Sequence, residues 1–270
     1  MADFNTVFRR YEKKFVLKGD QYRIFREKID KYMQVDEYGL STICNIYYDT
    51  ADYSLIRSSI EKPVYKEKLR LRSYGVPGEE DTVFLEVKKK YKGIVYKRRI
   101  PMSLKDAKET MRKGEVVGTD GQIASELTYF LKHYPMKNAT YLAYDRIAMF
   151  GKEDPELRMT FDFRIRSRLN DVSLEAGDEG DLLFSEDTVV LEVKVQESYP
   201  FWLIKIFEEM EIYPASLSKY GTAYKTIILP MMVLNRKRET TNPINETATD
   251  RLAVGIHQKK IKQTGGMNYV

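Results

Sequence analysis

The chain has 270 residues, of which 43% are apolar and 31% charged, with a net charge of +5. Its length allows one large domain or two small ones with a substantial core, and its composition is that of a soluble globular protein. No apolar run approaches the roughly 18 residues of a membrane-spanning helix, MADFNTVFRR lacks a hydrophobic signal core, and the lone Cys44 cannot form an internal disulfide, which together point to a cytoplasmic protein.

In chain order, Arg10, Glu12 and Lys14 share one face of a first strand. Asp20 then caps a helix striped with Tyr22, Phe25, Ile29 and Tyr32. Ser41–Tyr48 reads as a strand, and Lys66, Lys68, Arg70 and Arg72 share a face of the next. Val83, Leu85 and Val87 oppose Glu86, Lys88 and Lys90. After a turn at Lys92-Gly93, Lys97 and Arg99 share a face. Ser103 and Asp106 open a helix that Gly114 stops, and Ile123, Leu127, Phe130 and Tyr134 stripe another that ends at Pro135.

Tyr141–Phe150 is a further strand. In Leu157–Arg166, Leu157, Met159, Phe161, Phe163 and Ile165 oppose Arg158, Thr160, Asp162, Arg164 and Arg166. In Val189–Gln196, Val189, Leu191, Val193 and Val195 oppose Glu192, Lys194 and Gln196. Pro200 suits the first turn of a helix through about Ile212, and Ser216 or Ser218 caps one through about Ile228. Phe84–Lys88 echoes Val190–Lys194, each after an Arg-rich strand, as two related halves would. From Asn235 the pattern dissolves, so a single domain over 1–230 is expected, with a polar basic tail over 231–270, flexible or loosely docked.

At least six strands carry basic residues on one face. Like charges crowded across neighbouring strands destabilise a sheet unless a polyanion neutralises them. A barrel with polar side chains inside and helices outside satisfies both faces and leaves no edge. The expected fold is therefore α+β, a closed antiparallel eight-stranded β tunnel barrel with helices packed outside. Arg forks and Lys point charges in such a tunnel suit a phosphate chain. Nucleic acid is not expected, because no RNA-binding signature is present and the basic set is not interleaved with stacking aromatics.

Glu12, Glu86, Asp162 and Glu192 also lie on the basic faces. They either neutralise neighbouring cations or hold Mg²⁺ or Mn²⁺, which needs one or two carboxylates beside phosphate oxygens. His133 and His257 suggest neither a metal cluster nor a base, and no Walker A loop, dinucleotide fingerprint or nucleophile elbow is present. Phe201 and Trp202 read as core or as a base-stacking lid, and Arg236, Lys237 and Arg238 as solvated or as contacts for an acidic partner or a membrane surface.

Taken together, Arg10-x-Glu12-x-Lys14, Tyr47-Tyr48-Asp49-Thr50, Lys68-x-Arg70-x-Arg72, Leu85-Glu86-Val87-Lys88, Tyr96-Lys97-Arg98-Arg99, Tyr144-x-Arg146, Arg158-x-Thr160-x-Asp162, Leu191-Glu192-Val193-Lys194 and Ser218-Lys219-Tyr220 resemble the VTC domain from about residue 6 to 228. That is the catalytic domain of the vacuolar transporter chaperone polyphosphate polymerases and their bacterial relatives, among the CYTH-like triphosphate tunnel metalloenzymes. The resemblance implies transfer of the γ-phosphoryl of ATP onto polyphosphate or pyrophosphate, with Mn²⁺ or Mg²⁺. It implies phosphate-binding catalytic roles for Arg70, Arg72, Lys88, Lys97, Arg146, Arg158 and Lys219, and support from Lys14, Lys68, Arg99, Arg164 and Lys194. Glu192 would be the principal metal ligand, with Glu86 and Glu12 nearby.

The superfamily's hydrolases and cyclases usually begin Glu-x-Glu-x-Lys; Arg10 at the first position favours the VTC branch. The fungal proteins' regulatory domain and membrane segments are not found, so translocation would need a separate membrane protein partner, through which the chain would be membrane-associated. The rivals are a metal-dependent triphosphatase or polyphosphatase of the same fold and a non-catalytic polyphosphate sensor.

Overall fold

Period-two alternation drives strand formation along most of the chain. The computed structural model describes residues 11–92 and 94–241. β1 (Tyr11–Leu17), α1 (Gly19–Ile29), β2 (Met33–Asp49) and α2 (Ser54–Ile60) are followed by β3 (Tyr65–Tyr74), β4 (Thr82–Tyr91) and β5 (Ile94–Ser103). Then come α3 (Leu104–Lys113), α4 (Gln122–His133), β6 (Lys137–Gly151), β7 (Arg158–Arg168), the two-residue β8 (Asp181–Leu182) and β9 (Val189–Val195). After them α5 (Phe201–Glu209) and α6 (Lys219–Ala223) complete a first unit that ends at Tyr224. A second unit starts at Lys225 and carries α7 (Leu229–Thr241).

The strands form one antiparallel sheet in the order β1-β9-β7-β6-β2-β3-β4-β5, with β8 beside β7. This corrects the expected barrel twice: among the described residues there are nine strands, and the sheet is open. β1 and β5, at the ends of the path, do not pair among the described residues. The edge of β1 is met instead by Ala215, whose N–H donates to the Lys14 carbonyl at 2.7 Å. The sheet still curls, since Glu12 of β1 comes within 4.0 Å of Lys88 of β4.

The two related halves have equivalent places in this order. β9 and β4, which carry the repeated Leu-Glu-Val-Lys, are each second from an end, and β7 and β3 each third. Each half has its own core on the outer face. Cys44, Leu69, Leu71, Leu85, Val87 and Ile100 pack with Leu104 and Ala107 of α3 and Leu127 and Phe130 of α4. Phe15, Phe161, Leu191 and Val193 pack with Phe25 of α1 and Leu203 and Phe207 of α5. Trp202 stacks on Tyr32 at 4.1 Å, which bears out its core reading, whereas Phe201 is 70% exposed and does not join the core.

Local chemistry explains most helix boundaries. Ser103 accepts the Asp106 N–H at 3.0 Å, and Gly114 closes α3 with φ 71°. Pro200 precedes α5, which stops at Glu209, short of Ile212. Ser218 accepts the Gly221 N–H and caps α6. Asp20 lies inside the first turn of α1 and Lys18 holds the cap position without a side-chain bond, so Asp20 is not the cap. In the second unit, α7 carries the helix past Asn235 to Thr241, because Arg, Lys and Glu are good helix formers despite their polarity. The tail expectation for 242–270 lies outside the described residues.

Candidate phosphate-binding face

The inner face opposite the two cores carries the charges. On β1 and β9, register sets Lys14 across from Glu192 and Glu12 across from Lys194. The Lys14 ammonium contacts Glu12 and lies 2.5 Å from Glu192, and Lys194 reaches Glu192 at 2.8 Å. Thr160 of β7 is the next partner of Glu192, with its buried Oγ1 unpartnered.

Across the sheet, Arg70, Glu86 and Arg99 stand in register on β3, β4 and β5. Glu86 receives Arg70 at 2.6 Å and Lys97 at 2.8 Å, with Arg99 3.5 Å away and stacked 3.4 Å above Phe84. Between these clusters, fully buried Asp162 accepts two hydrogen bonds from Arg146, at 2.6 and 2.8 Å, and one from Lys219. Arg72 donates to Asn45 and to the Tyr144 hydroxyl, each at 3.0 Å. The Lys68 ammonium donates to Ser218 at 3.0 Å.

α6 lies over this face rather than outside the sheet, because Asp49 ties it down. One oxygen of Asp49 accepts the N–H groups of Thr50 and Leu55, at 2.8 and 2.9 Å. The other accepts the Ile56 N–H at 3.0 Å and the Tyr220 hydroxyl at 2.8 Å. The same carboxylate thus holds the start of α2 and pins Tyr220, whose ring stacks on Tyr47 at 4.7 Å. The preceding residue, Lys219, is thereby delivered to Asp162.

Burial works against the charges of Glu192, Glu86 and Lys68, and their partners decide the outcome. Burial pushes the Glu192 carboxyl up, but Lys194 and Lys14 hold it well below the usual range. Glu86 behaves likewise: burial opposes ionisation, yet Arg70, Arg72 and Lys97 bring it down to about 2. Lys68 has no carboxylate to offset burial, which lowers its ammonium to about 8. In Tyr47 and Tyr144, burial is outweighed by Arg70 in the first and by Arg72 and Arg146 in the second, so both phenols sit below their ordinary value.

The donor set fits a hard divalent cation at one place. Glu12 and Glu192 share the Lys14 ammonium, with Lys194 also on Glu192 and Lys88 4.0 Å from Glu12, and the pair offers oxygen only. Glu86 lies in the other half, held by Arg70, Lys97 and Arg99. No group of three or more His, Cys, Asp or Glu gathers for a metal among the described residues. A cation at Glu12 and Glu192 would therefore complete its shell with phosphate oxygens or water.

Most of the expected site residues share this face: Lys14, Lys68, Arg70, Arg72, Lys88, Lys97, Arg99, Arg146, Lys194 and Lys219. Arg158 has the parity of Asp162 but is exposed, with its guanidinium on the Pro155 carbonyl at 2.9 Å. Arg164 does not join them. It is the extra residue of a bulge in β7, at φ 43°, and turns to Asp145 at 3.7 Å beside Arg166 on the outer face. Arg10 lies outside the described residues. Sequence reading quoted Asp49, Ser218 and Tyr220 within motifs but gave them no role in the site, and it did not single out Asn45; strand register and the fold of α6 over the face supply those roles.

The VTC domain family matches residues 9–228. The chain belongs to the VTC domain family. The quoted motifs from Glu12 to Tyr220 all fall inside the match, and those on strands β1, β3, β4, β5, β6, β7 and β9 supply the inner face of this VTC domain. A candidate adenylate cyclase from Bacillus halodurans shares the fold at TM-score 0.51 and 14% identity, over 78% of this chain and 94% of that one. A candidate adenylyl cyclase from Hippeastrum, described as having a dominant triphosphatase activity, does so at TM-score 0.50 and 14% identity, over 80% and 94%. A search of curated proteins found no match.

Proposed function

We propose that this VTC domain is a polyphosphate polymerase that transfers the γ-phosphoryl of ATP to the end of a growing polyphosphate chain. Family and site together support triphosphate or polyphosphate as the substrate class. The carrying observation is the inner face itself, where cations from both halves of the sheet and from α6 outnumber the carboxylates Glu12, Glu86, Asp162 and Glu192. A phosphate chain laid along it would supply the missing negative charge.

The reaction asks for alignment and charge stabilisation rather than covalent help from the protein. A terminal oxygen of the acceptor chain attacks the γ-phosphorus, and the bond from that phosphorus to the β–γ bridging oxygen breaks. ADP leaves and the chain is one phosphate longer. The attacking oxygen is already an anion, so no strong base is needed. Arg70, Arg72, Lys88, Lys97, Arg146 and Lys219 hold the phosphates of donor and acceptor, and Lys14, Lys68, Arg99 and Lys194 support them. A divalent cation held by Glu192 and Glu12 would neutralise phosphate oxygens as charge moves to the leaving group.

The test is a polyphosphate gel after incubation with ATP, Mn²⁺ and a trace of pyrophosphate. The expected result is a metal-dependent ladder of lengthening chains that Glu192→Gln lowers by about 2–4 kcal/mol of transition-state stabilisation. Phosphate release without a ladder would replace the proposal with a hydrolase. Tight binding without turnover would replace it with a sensor.

A further inference from the structure

At one end of the sheet, five apolar side chains stand in solvent. Val64, Tyr65, Tyr91, Ile94 and Val95 are between 38% and 63% exposed. Register gathers them: Tyr65 is opposite Tyr91 and Tyr91 opposite Ile94, while Lys90 faces Lys66 on one side and Val95 on the other. The rings of Tyr65 and Tyr91 meet edge-on at 6.5 Å, and the Lys92 N–H donates to the Val64 carbonyl at 3.0 Å. The patch is thus a built end of three strands.

Lysines surround it: Lys62, Lys66, Lys89, Lys90 and Lys92. Lys89 reaches the buried Glu67 at 3.5 Å, whereas Lys62, Lys66, Lys90 and Lys92 have no carboxylate partner among the described residues. Glu61 is the one exposed carboxylate in residues 60–66 and 89–92. Burial and then Lys90, Lys62 and Lys88 push the Lys66 ammonium down, a sign that these charges crowd one another.

Apolar and aromatic residues ringed by unneutralised cations call for an occupant that is apolar within and anionic at its surface. We propose that this end of the sheet docks on an anionic phospholipid bilayer, with Val64, Tyr65, Tyr91, Ile94 and Val95 entering the headgroup boundary and the lysines reaching lipid phosphates. Tyrosine favours that boundary, and lysine stems lie along apolar surface while their heads stay wet. A second copy of the chain would set lysines against lysines. An acidic polypeptide would be better matched by arginine forks, and every cation of the rim is a lysine. Lys66 and Lys90 share the inner face with Lys68 and Lys88, so docking would bring this end of the basic face to the membrane. The surface stands independently of the reaction proposed above.

The test is co-sedimentation with phosphatidylcholine vesicles, with and without phosphatidylglycerol, at low and high salt. The full chain is compared with two variants, Val64→Ser/Tyr91→Ser/Ile94→Ser and Lys62→Gln/Lys92→Gln. The wild type is expected to bind the phosphatidylglycerol vesicles at low salt and leave them at high salt. Each variant should bind roughly tenfold more weakly or worse, with an unchanged melting temperature and unchanged tripolyphosphate affinity. Absence of phosphatidylglycerol-dependent binding, or variants that bind as well as the wild type, would overturn the proposal. Capture on immobilised polyglutamate, lost in both variants and without vesicle binding, would overturn it in favour of an acidic polypeptide.

Discussion

Lys68 is held by the Ser218 hydroxyl rather than by a carboxylate, and burial brings its pKa to about 8. Because folding lowers this value, the buried ammonium opposes stability below about pH 8, and that cost is relieved as pH rises toward the ordinary lysine value. Phosphate binding has the opposite sign, since it favours the protonated amine. Tripolyphosphate affinity is therefore expected to fall as pH rises through about 8, by up to roughly tenfold one unit above it. Calorimetric titration of Lys68→Met should show weaker binding near neutrality and a smaller pH slope; an unaltered slope would acquit Lys68. Asp162 poses the converse problem. Asp162→Asn leaves Arg146 and Lys219 without their counter-charge, which should cost about 3–5 kcal/mol in urea unfolding. An unchanged midpoint would mean that the two cations find other partners.

Single strands were legible wherever alternation was unbroken, as on β3, β4 and β9, and there the inner and outer residues were assigned correctly. The failures lie where backbone geometry breaks the period. In β7 the bulge at Arg164 turns Arg164 and Arg166 outward, although both carry the parity of Asp162 in the sequence. In β2 the register shifts between Val35 and Leu40, with Gly39 at φ 56°, so the strand's polar beginning did not read as strand. α2 was missed because its N-cap, Tyr53, has no capping side chain and the N–H groups of Leu55 and Ile56 are taken by Asp49 from well upstream, beyond any local capping pattern. Tight geometry at the β6–β7 connection gives a test of element-level packing. A Cβ at Gly151 would stand 2.5 Å from the Asp154 carbonyl oxygen, so Gly151→Ala must open that turn. A loss of about 1–3 kcal/mol is expected in thermal melting, with inner-face binding retained at low temperature; an unshifted melt would show that the turn gives way freely.

At the scale of the molecule, the sequence announced a basic inner face but not how the sheet ends. The polyanion argument required charges to gather, and Lys14, Arg70, Lys97, Arg146 and Lys219 do so around their carboxylates. Closure into a barrel did not follow from it, because curling and α6 bring the same charges together while β1 meets Ala215. Among the described residues no helix is long and apolar enough to cross a membrane, so the separate membrane partner stays a proposal alongside the lysine-rimmed docking surface. The inner face can be examined directly in a crystal structure of the chain grown with tripolyphosphate and Mn²⁺. Phosphates strung between the Arg70–Lys97 and Arg146–Lys219 groups, with the metal against Glu192 and Glu12, are the expected result. Phosphates ordered on the outer face, with Arg70, Arg146 and Lys219 left to their carboxylates, would contradict it.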